Sequence, residues 1–301
     1  MKTAVPYGLD NDNFVMGYRT QTEWRWLIST AFFLGGLGGG TFMVSLFTSF
    51  TWAAIVGWLI AVVGKGTAHL LYLGNPLRFW RAVMRPQTSW ISRGMLGMLG
   101  LVVFGAIYIG IRGEVLPGAG TGAETLFAVL AGIAAAVVMI YDGFVLATPP
   151  SIPLWHSALL PVLVAAYSLL GGATLALVMA EAGARGAAEV PVGALHNLHL
   201  IMVVFNFVVL ALLLSVSWNA SVTARESVIL LLQRYGWVFF GGVVLVGLLV
   251  TGILSLTISD PSGGALIAIA VCELIGDFLV WFTILNVGVY QPINPRASFA
   301  R

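Results

Sequence analysis

Charged residues and cysteine are both scarce in this chain. Only 9% of its 301 residues are Asp, Glu, Lys or Arg, whereas soluble domains carry about 25%. The low charge content excludes an ordinary soluble domain. The single cysteine, Cys272, cannot form a disulfide within the chain, and it falls short of the roughly four thiolates that ligate an iron–sulfur cluster. We therefore expect no iron–sulfur cluster in this chain.

Hydrophobic residues are abundant instead, at 59% of the chain. A transmembrane helix needs about 20 apolar residues, and eight stretches reach that length, too long and too uniformly apolar for the strands of a transmembrane β-barrel. We predict an all-α integral membrane protein without a cleaved signal peptide. The eight predicted spans are Trp26–Thr48, Trp52–Gly74, Ile91–Ile111, Thr125–Leu146, Leu154–Ala180, Leu195–Trp218, Trp237–Ile258 and Leu266–Val289.

A proline-rich connection separates the fourth predicted span from the fifth. Three of the six residues from Thr148 to Pro153 are proline, and proline cannot continue a helix interior. The sequence thus predicts two four-helix bundles, one in residues 1–150 and one in residues 151–301.

Basic residues are unevenly distributed between the two ends of the predicted bundle. Eight spans place both chain ends on one side, which we call the terminal face, and only Arg112 and Arg185 fall on the opposite face. Because cytoplasmic loops are enriched in Lys and Arg, we predict that the terminal face and both termini are cytoplasmic, in the inner membrane. Eleven basic residues belong to the terminal face: Lys2, Arg19, Arg25, Arg78, Arg81, Arg85, Arg93, Arg225, Arg234, Arg296 and Arg301.

Ionisable groups inside the first bundle indicate a binding site. A charge at the membrane centre costs about 2.5–3.5 kcal/mol on insertion scales, so such groups usually have a partner or a function. All four helices bring a polar or aromatic group to one depth below the terminal face, as expected for a small-molecule site. These candidate residues are Trp26, Ser29, His69, Arg93, Tyr141 and Asp142, with Lys65 one turn deeper.

Structural roles remain open for the same residues. Lys65 and Asp142 could form an ion pair without turnover, and His69 could be a core histidine with satisfied hydrogen bonds. Arg93 could be an anchor that reaches the membrane surface. The run Gly35–Gly40 could serve close helix packing or the close approach of a ligand.

Another set of polar residues lies in the second bundle. Glu273 and Asp277 share one face of the eighth span, and His199 and Asn206 lie in the sixth. Histidines and carboxylates strung through a membrane bundle can carry protons. We interpret these four residues as a candidate proton path, with hydrogen bonding between helices as the alternative.

Three segments resemble the NrfD/polysulfide-reductase membrane-subunit family. The most specific runs Leu73-Gly-Asn-Pro-Leu-Arg78-Phe-Trp-Arg81 and continues through Arg85-Pro to Ser89-Trp-Ile-Ser-Arg93-Gly. The others are Trp24-Arg-Trp26 with the following glycine run, and Tyr141-Asp-Gly-Phe-Val-Leu-Ala continuing to Pro153-Leu-Trp155. The chain departs from many members at Tyr72, where they have a histidine; here the histidine is His69.

The resemblance implies a membrane subunit that exchanges electrons and protons between the quinone pool and partner proteins. It implies a quinone, menaquinone or ubiquinone, in the first bundle and no haem or metal in this chain. His69, Tyr141, Asp142 and Lys65 are then the candidate catalytic residues. Trp26, Ser29 and Arg93 would also contact the quinone.

The resemblance also implies partner subunits. The expected partners are an iron–sulfur electron-transfer subunit, a catalytic subunit that depends on molybdopterin, and membrane lipid, with no nucleic acid. Arg78, Arg81 and Arg85 would form the docking surface.

Two other functional classes fit parts of the sequence. A haem b anchor needs paired axial histidines on facing helices, and His69 and His156 both approach the terminal face. A proton-coupled secondary transporter would use Lys65, Asp142, Glu273 and Asp277, although transporters usually carry matched helix breaks in two repeats. We expect no enzymatic activity from the chain alone.

Overall fold

The computed structural model describes residues 18–257 and 263–292. Within that part, eight helices are long and apolar enough to cross a membrane. Helices suit a bilayer because they satisfy every backbone hydrogen bond internally. The eight, called spans 1 to 8, are Trp26–Thr48, Thr51–Tyr72, Trp90–Arg112, Thr121–Ala147, Leu159–Glu181, Val192–Ala220, Trp237–Thr257 and Gly263–Asn286. The prediction of an all-α protein with eight transmembrane helices is confirmed.

Three spans contain π-helical segments that the sequence pattern did not indicate. They are Ile60–Lys65 in span 2, Leu101–Gly105 in span 3 and Trp237–Val250 in span 7. A π turn inserts extra residues into a helix and rotates every side chain after it, and such turns often occur at functional sites. The π segment of span 2 ends at Lys65.

Spans 1 and 5 form the centre of the bundle. In their most apolar windows 72% and 67% of residues are buried, against 28–44% in the other six spans. Span 1 packs on spans 2, 4 and 5, and span 5 also packs on spans 4, 6 and 8. Glycines permit the closest crossing, where a Cβ atom on Gly172 would lie 2.6 Å from the carbonyl oxygen of Gly40. Because spans 1 and 5 share this interface, the division into residues 1–150 and 151–301 stays a prediction.

The described ends of the chain meet on one face. A short antiparallel ladder pairs β1, Arg19–Thr20, with β2, Val289–Tyr290. Gln21 strengthens this junction, since its side-chain amide donates to the carbonyl of Leu285 at 2.5 Å. An even number of spans and a shared terminal face are therefore established for the described residues. The predicted terminal-face residues Lys2, Arg296 and Arg301 lie outside them.

Span 5 begins at Leu159 rather than at the predicted Leu154. Leu154 and Trp155 are apolar and buried, but they belong to a turn that packs under the terminal face. The Trp155 indole stacks on Trp24 and donates a 3.0 Å hydrogen bond to the carbonyl of Ile284. The apolar residues that extended the predicted span thus fill a core outside the membrane helix.

Most other predicted ends lie within four residues of the observed ones, although the predicted end of span 7, Ile258, lies outside the described residues. Span 8 ends at Asn286 rather than Val289, because Val289 joins the ladder. Short helices that were not predicted lie in the connections, one of them, the 3₁₀ turn Ala187–Glu189, on the opposite face and two on the terminal face. The two on the terminal face are the 3₁₀ segment Pro76–Met84 and the surface helix Val222–Arg234.

Candidate functional site

A buried ion pair joins spans 2 and 4. Lys65 Nζ lies 2.5 Å from Asp142 Oδ2, and the two side chains are 0% and 2% exposed. Lys65 also donates a 3.2 Å hydrogen bond to the backbone carbonyl of Ala31 in span 1. The ammonium group is therefore held by three helices at once.

Aromatic rings cover the same ammonium group. Lys65 Nζ lies 4.6 Å from the centre of the Tyr141 ring and 5.6 Å from that of Phe32. Cations are attracted to ring faces, more strongly where water is excluded. Tyr141 and Phe32 are themselves buried, so the charge of Lys65 lies among aromatic rings and a carboxylate, shielded from bulk solvent.

Two glycines make room for this cluster. A Cβ atom on Gly35 would lie 2.6 Å from Cδ of Lys65, and one on Gly94 would overlap the ring of Tyr141. Spans 1 and 3 can approach the cluster only because these positions lack a side chain. Gly35 belongs to the predicted glycine run, and Gly94 follows Arg93 in the family-like motif. Of the two roles considered for the glycine run, Gly35 therefore serves close packing, and this packing makes room for Lys65.

The pair leaves one polar atom unsatisfied. Asp142 Oδ1 is buried and has no hydrogen-bond partner among the described residues. Buried carboxylate oxygens without a donor are costly, so such an atom often marks a place where a ligand or water donates. The adjacent Tyr141 side chain also interacts with this carboxyl group, but without a hydrogen bond of normal geometry to Oδ1.

The other predicted contacts lie around this cluster and do not touch its charges. His69 is half-buried and its Nδ1 lies 3.2 Å from the carbonyl of Lys65, one turn before it. The Ser29 hydroxyl donates within its own helix to the carbonyl of Arg25 at 3.0 Å. Trp26, the first residue of span 1, is 60% exposed. These residues lie between the ion pair and the terminal face.

Arg93 is directed toward the connecting loop. Its guanidinium donates to the carbonyls of Pro86 and Gln87, at 2.8 and 2.9 Å. It also stacks 4.3 Å from the ring of Trp90. This geometry fits the structural alternative, in which Arg93 anchors the start of span 3.

Arg78, Arg81 and Arg85 lie on or directly after the 3₁₀ segment Pro76–Met84. None of the nine residues in this segment is buried, and Leu77 is 91% exposed. The segment therefore presents basic and apolar side chains together at the terminal face.

A second buried polar cluster lies between spans 5, 6 and 8. Glu273 accepts from Thr174 Oγ1 at 2.5 Å, and its other oxygen lies 2.6 Å from His199 Nε2. Asp277 and Asn206 are also buried, and each has a side-chain oxygen without a partner among the described residues. The structure brings His199 and Glu273 together but gives no direct bond from this pair to Asp277 or Asn206.

The residue types that ligate metals are dispersed in the described part of the chain. No group of three His, Cys, Asp or Glu side chains is arranged to hold a metal ion there. The two histidines considered for haem are each close to a backbone carbonyl, since His156 Nδ1 lies 2.6 Å from that of Ala147 and His69 contacts that of Lys65.

Sequence reasoning missed several contributors to the two clusters. Phe32, Thr174 and Tyr167 carry no recognisable motif, and Tyr167 is a buried tyrosine in span 5 whose hydroxyl has no described partner. Sequence reasoning also missed the π segments, because a run of hydrophobic residues has the same composition whether it forms an α-helix or a π-helix. The carbonyl at one π segment, Leu101, accepts a 3.0 Å hydrogen bond from the indole of Trp58.

Comparison with known sequences places the chain in one family. The sequence model described as polysulphide reductase, NrfD, matches residues 15–293, nearly the whole chain. No curated protein matches it significantly. The matched region includes both polar clusters and all eight spans, and the chain therefore belongs to the NrfD polysulphide reductase family.

Proposed function

We propose that this protein exchanges electrons and protons between the membrane quinone pool and a partner enzyme. Its family consists of membrane subunits of quinone-linked oxidoreductases. The partners would be an iron–sulfur electron-transfer subunit and a catalytic subunit, which we expect to use molybdopterin. The substrate in the membrane would be menaquinone or ubiquinone, bound near the Lys65–Asp142 pair.

The observation that carries the proposal is the unpartnered oxygen of Asp142. Conversion of a quinone to a quinol needs two electrons and two protons, and the quinol has hydroxyl groups that can donate to a carboxylate. Asp142 Oδ1 is a buried acceptor beside Tyr141. A quinol hydroxyl would satisfy it and transfer its proton there.

Lys65 gives this carboxylate its electrostatic setting. Its ammonium lies 2.5 Å from Asp142 Oδ2 and is enclosed by rings. A desolvated charge acts strongly over such a distance. Lys65 would keep Asp142 ready to accept a proton and favour negative charge on a nearby quinone oxygen.

His69 would link the buried cluster to the terminal face. It is half-buried and lies one turn above Lys65. An imidazole ring can accept a proton on one nitrogen and donate one from the other, so His69 would pass protons between Asp142 or Tyr141 and the aqueous side. Trp26 and Ser29 would border the quinone on the side of the terminal face, whereas Arg93 would anchor the start of span 3.

Electrons would come through the partner. The chain has a single cysteine, so a cluster within electron-transfer distance belongs on another subunit. Arg78, Arg81 and Arg85 form an exposed basic surface above the first four spans. We propose that they dock the iron–sulfur subunit, on the cytoplasmic side of the inner membrane as the distribution of basic residues predicts.

The second polar cluster would supply a proton path. His199 and Glu273 form a hydrogen-bonded pair in the membrane interior, and Asp277 and Asn206 carry unpartnered oxygens nearby on the same spans. Groups of this kind can pass protons along a bundle when water joins them. The path would connect quinone chemistry to the face opposite the termini.

The test is turnover of the assembled complex after changes at the site. We expect Tyr141→Phe and His69→Ala each to lower quinol oxidation by about 10-fold or more, because general acid–base groups contribute roughly 10²–10⁴-fold. Tyr108→Phe is the matched control, since Tyr108 is a buried tyrosine in span 3 near the opposite face. Unchanged turnover in both site variants would contradict the proposal.

The two rival classes have direct tests of their own. A haem b anchor would show a Soret band in the visible spectrum of the purified protein. A proton-coupled transporter would move a solute in proteoliposomes without any partner. We expect no Soret band, and we expect an iron–sulfur subunit to copurify with the chain.

A further inference from the structure

A cavity of about 620 Å³ opens between spans 2 and 3 on the face opposite the chain ends. This is within the usual size range of small-molecule sites. It lies at the start of span 2 and the end of span 3, far from the Lys65–Asp142 pair near the other face. None of the roles described above uses it.

The cavity has an apolar floor and a charged mouth. Its floor reaches about two helical turns into the membrane region, from Trp52 to Leu59 along span 2 and from Ile109 back to Ala106 along span 3. Its mouth carries charged residues from the end of span 3 and from the connection between spans 5 and 6. These are Arg112, Glu114, Arg185 and Glu189. A site that is apolar at membrane depth and charged at its surface fits an amphiphile.

The charges at the mouth are only partly paired. Arg112 bonds to Glu124 at 3.2 Å and to the carbonyl of Ser49 at 2.8 Å. Arg185, Glu114 and Glu189 are exposed, and none of their side chains forms a hydrogen bond or ion pair among the described residues. Unpaired charges of both signs therefore remain within one opening.

The beginning of span 2 adds further donors. The first helical N–H groups have no partner within a helix, and the residue before this helix is Phe50, whose side chain cannot cap them. Thr51 and Trp52, which carry two of these groups, both line the cavity. Such a helix start favours a negatively charged group.

The backbone around the mouth is held in an unusual conformation. Ser49 and Glu114 have φ angles of 53° and 58°, and they are the two non-glycine residues with positive φ in the described part of the chain. Both line this cavity. Left-handed backbone at non-glycine residues is uncommon and tends to occur at functional sites.

We propose that this cavity binds a phospholipid whose head group carries a primary amine, of the phosphatidylethanolamine type. The phosphate lies between Arg185 and the free N–H groups at the start of span 2. The ammonium donates hydrogen bonds to Glu114 and Glu189. The acyl chains begin on the floor between Trp52 and Ala106 and leave between spans 2 and 3 into the bilayer.

The charges left free at the mouth, those of Arg185, Glu114 and Glu189, select this head group. Phosphatidylglycerol has the phosphate but no cation for the two glutamates. Phosphatidylcholine has a cation, but its quaternary nitrogen has no N–H to donate. Of these three head groups, only the primary ammonium of phosphatidylethanolamine both carries a positive charge and donates hydrogen bonds to carboxylates.

The test is native mass spectrometry of the purified, delipidated full-length protein titrated with each of the three lipids. We expect phosphatidylethanolamine to be retained at least 10-fold better than phosphatidylcholine or phosphatidylglycerol. In the variant Glu114→Gln/Glu189→Gln, the preference over phosphatidylcholine should disappear. Arg185→Ala should lower retention of all three lipids several-fold.

Two further variants separate this site from lipid bound elsewhere on the surface. Ala106→Trp fills the apolar floor at an exposed position, so it should displace the lipid without disturbing the fold. Arg234→Ala removes an exposed arginine from the surface helix and should leave retention unchanged. Equal retention of the three lipids by the unaltered protein would overturn the proposal, and so would full retention in the Ala106→Trp variant.

Discussion

Gly35 and Lys65 fit together without room for another methyl group. A Cβ atom at position 35 would lie 2.6 Å from Cδ and 2.9 Å from Cε of Lys65. Lys65 cannot move away without leaving Asp142, because its ammonium is already bonded to that carboxylate and to the carbonyl of Ala31. The glycine of span 1 therefore determines where the charge of span 2 lies.

The first prediction concerns Gly35→Ala. Overpacking a tight interior typically costs about 1–3 kcal/mol, and here the displaced group is the buried ammonium. We expect a loss of unfolding free energy in that range, together with slower quinol turnover. Gly241→Ala is the control, since nothing lies within 4 Å of a Cβ atom there. Denaturation in mixed detergent micelles measures both variants.

The second prediction separates a structural ion pair from a functional one. Lys65→Met and Asp142→Leu should each cost about 3–5 kcal/mol, because each leaves an uncompensated buried charge. The double variant Lys65→Met/Asp142→Leu should recover much of the lost stability. Quinol oxidation by the assembled complex should be lost in all three variants. A stable double variant with normal turnover would show that the pair is structural only.

The third prediction concerns the basic surface at Arg78, Arg81 and Arg85. Reversing the first two charges, Arg78→Glu/Arg81→Glu, should reduce recovery of the iron–sulfur subunit by about 10-fold at low salt, since like charges across an interface repel. Arg225→Glu/Arg234→Glu, on the surface helix Val222–Arg234, is the control with the same change of charge. Recovery that is the same for the two variants would place the docking surface elsewhere.

The fourth prediction tests the orientation of the chain. Cys272 is the single cysteine, so a Cys272→Ala background allows one reporter at a time. Thr88 lies in an exposed loop on the terminal face, and Gly120 lies in an exposed loop on the other. In intact cells, a membrane-impermeant maleimide should label Gly120→Cys and leave Thr88→Cys unlabelled. The reverse pattern would place the terminal face outside the cytoplasm.

The fifth prediction concerns His199 and Glu273, whose facing atoms lie 2.6 Å apart. A double-mutant cycle with His199→Gln and Glu273→Gln should give a coupling of about 0.5–3 kcal/mol, as for other residues in direct contact. In proteoliposomes that contain the whole complex, Glu273→Gln should also slow proton movement during quinol oxidation. If the double-mutant cycle shows coupling but proton movement is unchanged, the His199–Glu273 pair has a structural role only.

Much of the architecture could be predicted from the sequence. The positions of the spans follow from the hydrophobic runs, because an apolar run of about 20 residues is long enough for a helix to cross the hydrocarbon core of a bilayer. The depth of Lys65, Tyr141 and Asp142 follows as well, since residues in a helix advance by about 1.5 Å each. The apolar turn at Leu154 misled this reasoning, because burial under the terminal face and burial in lipid favour the same residues.

Which polar groups meet was decided by the tertiary structure. Partners depend on the rotation of each helix about its axis, about 100° per residue, and the π segment before Lys65 changes that rotation without changing the hydrophobic pattern. Hence Lys65 meets Asp142, whereas Arg93 is directed to the loop and Ser29 bonds within its own helix. The sequence by itself determined that ionisable groups would be buried at one level. Only the packing of glycines in spans 1 and 3 decided which of them share a site, because close approach requires positions with no side chain.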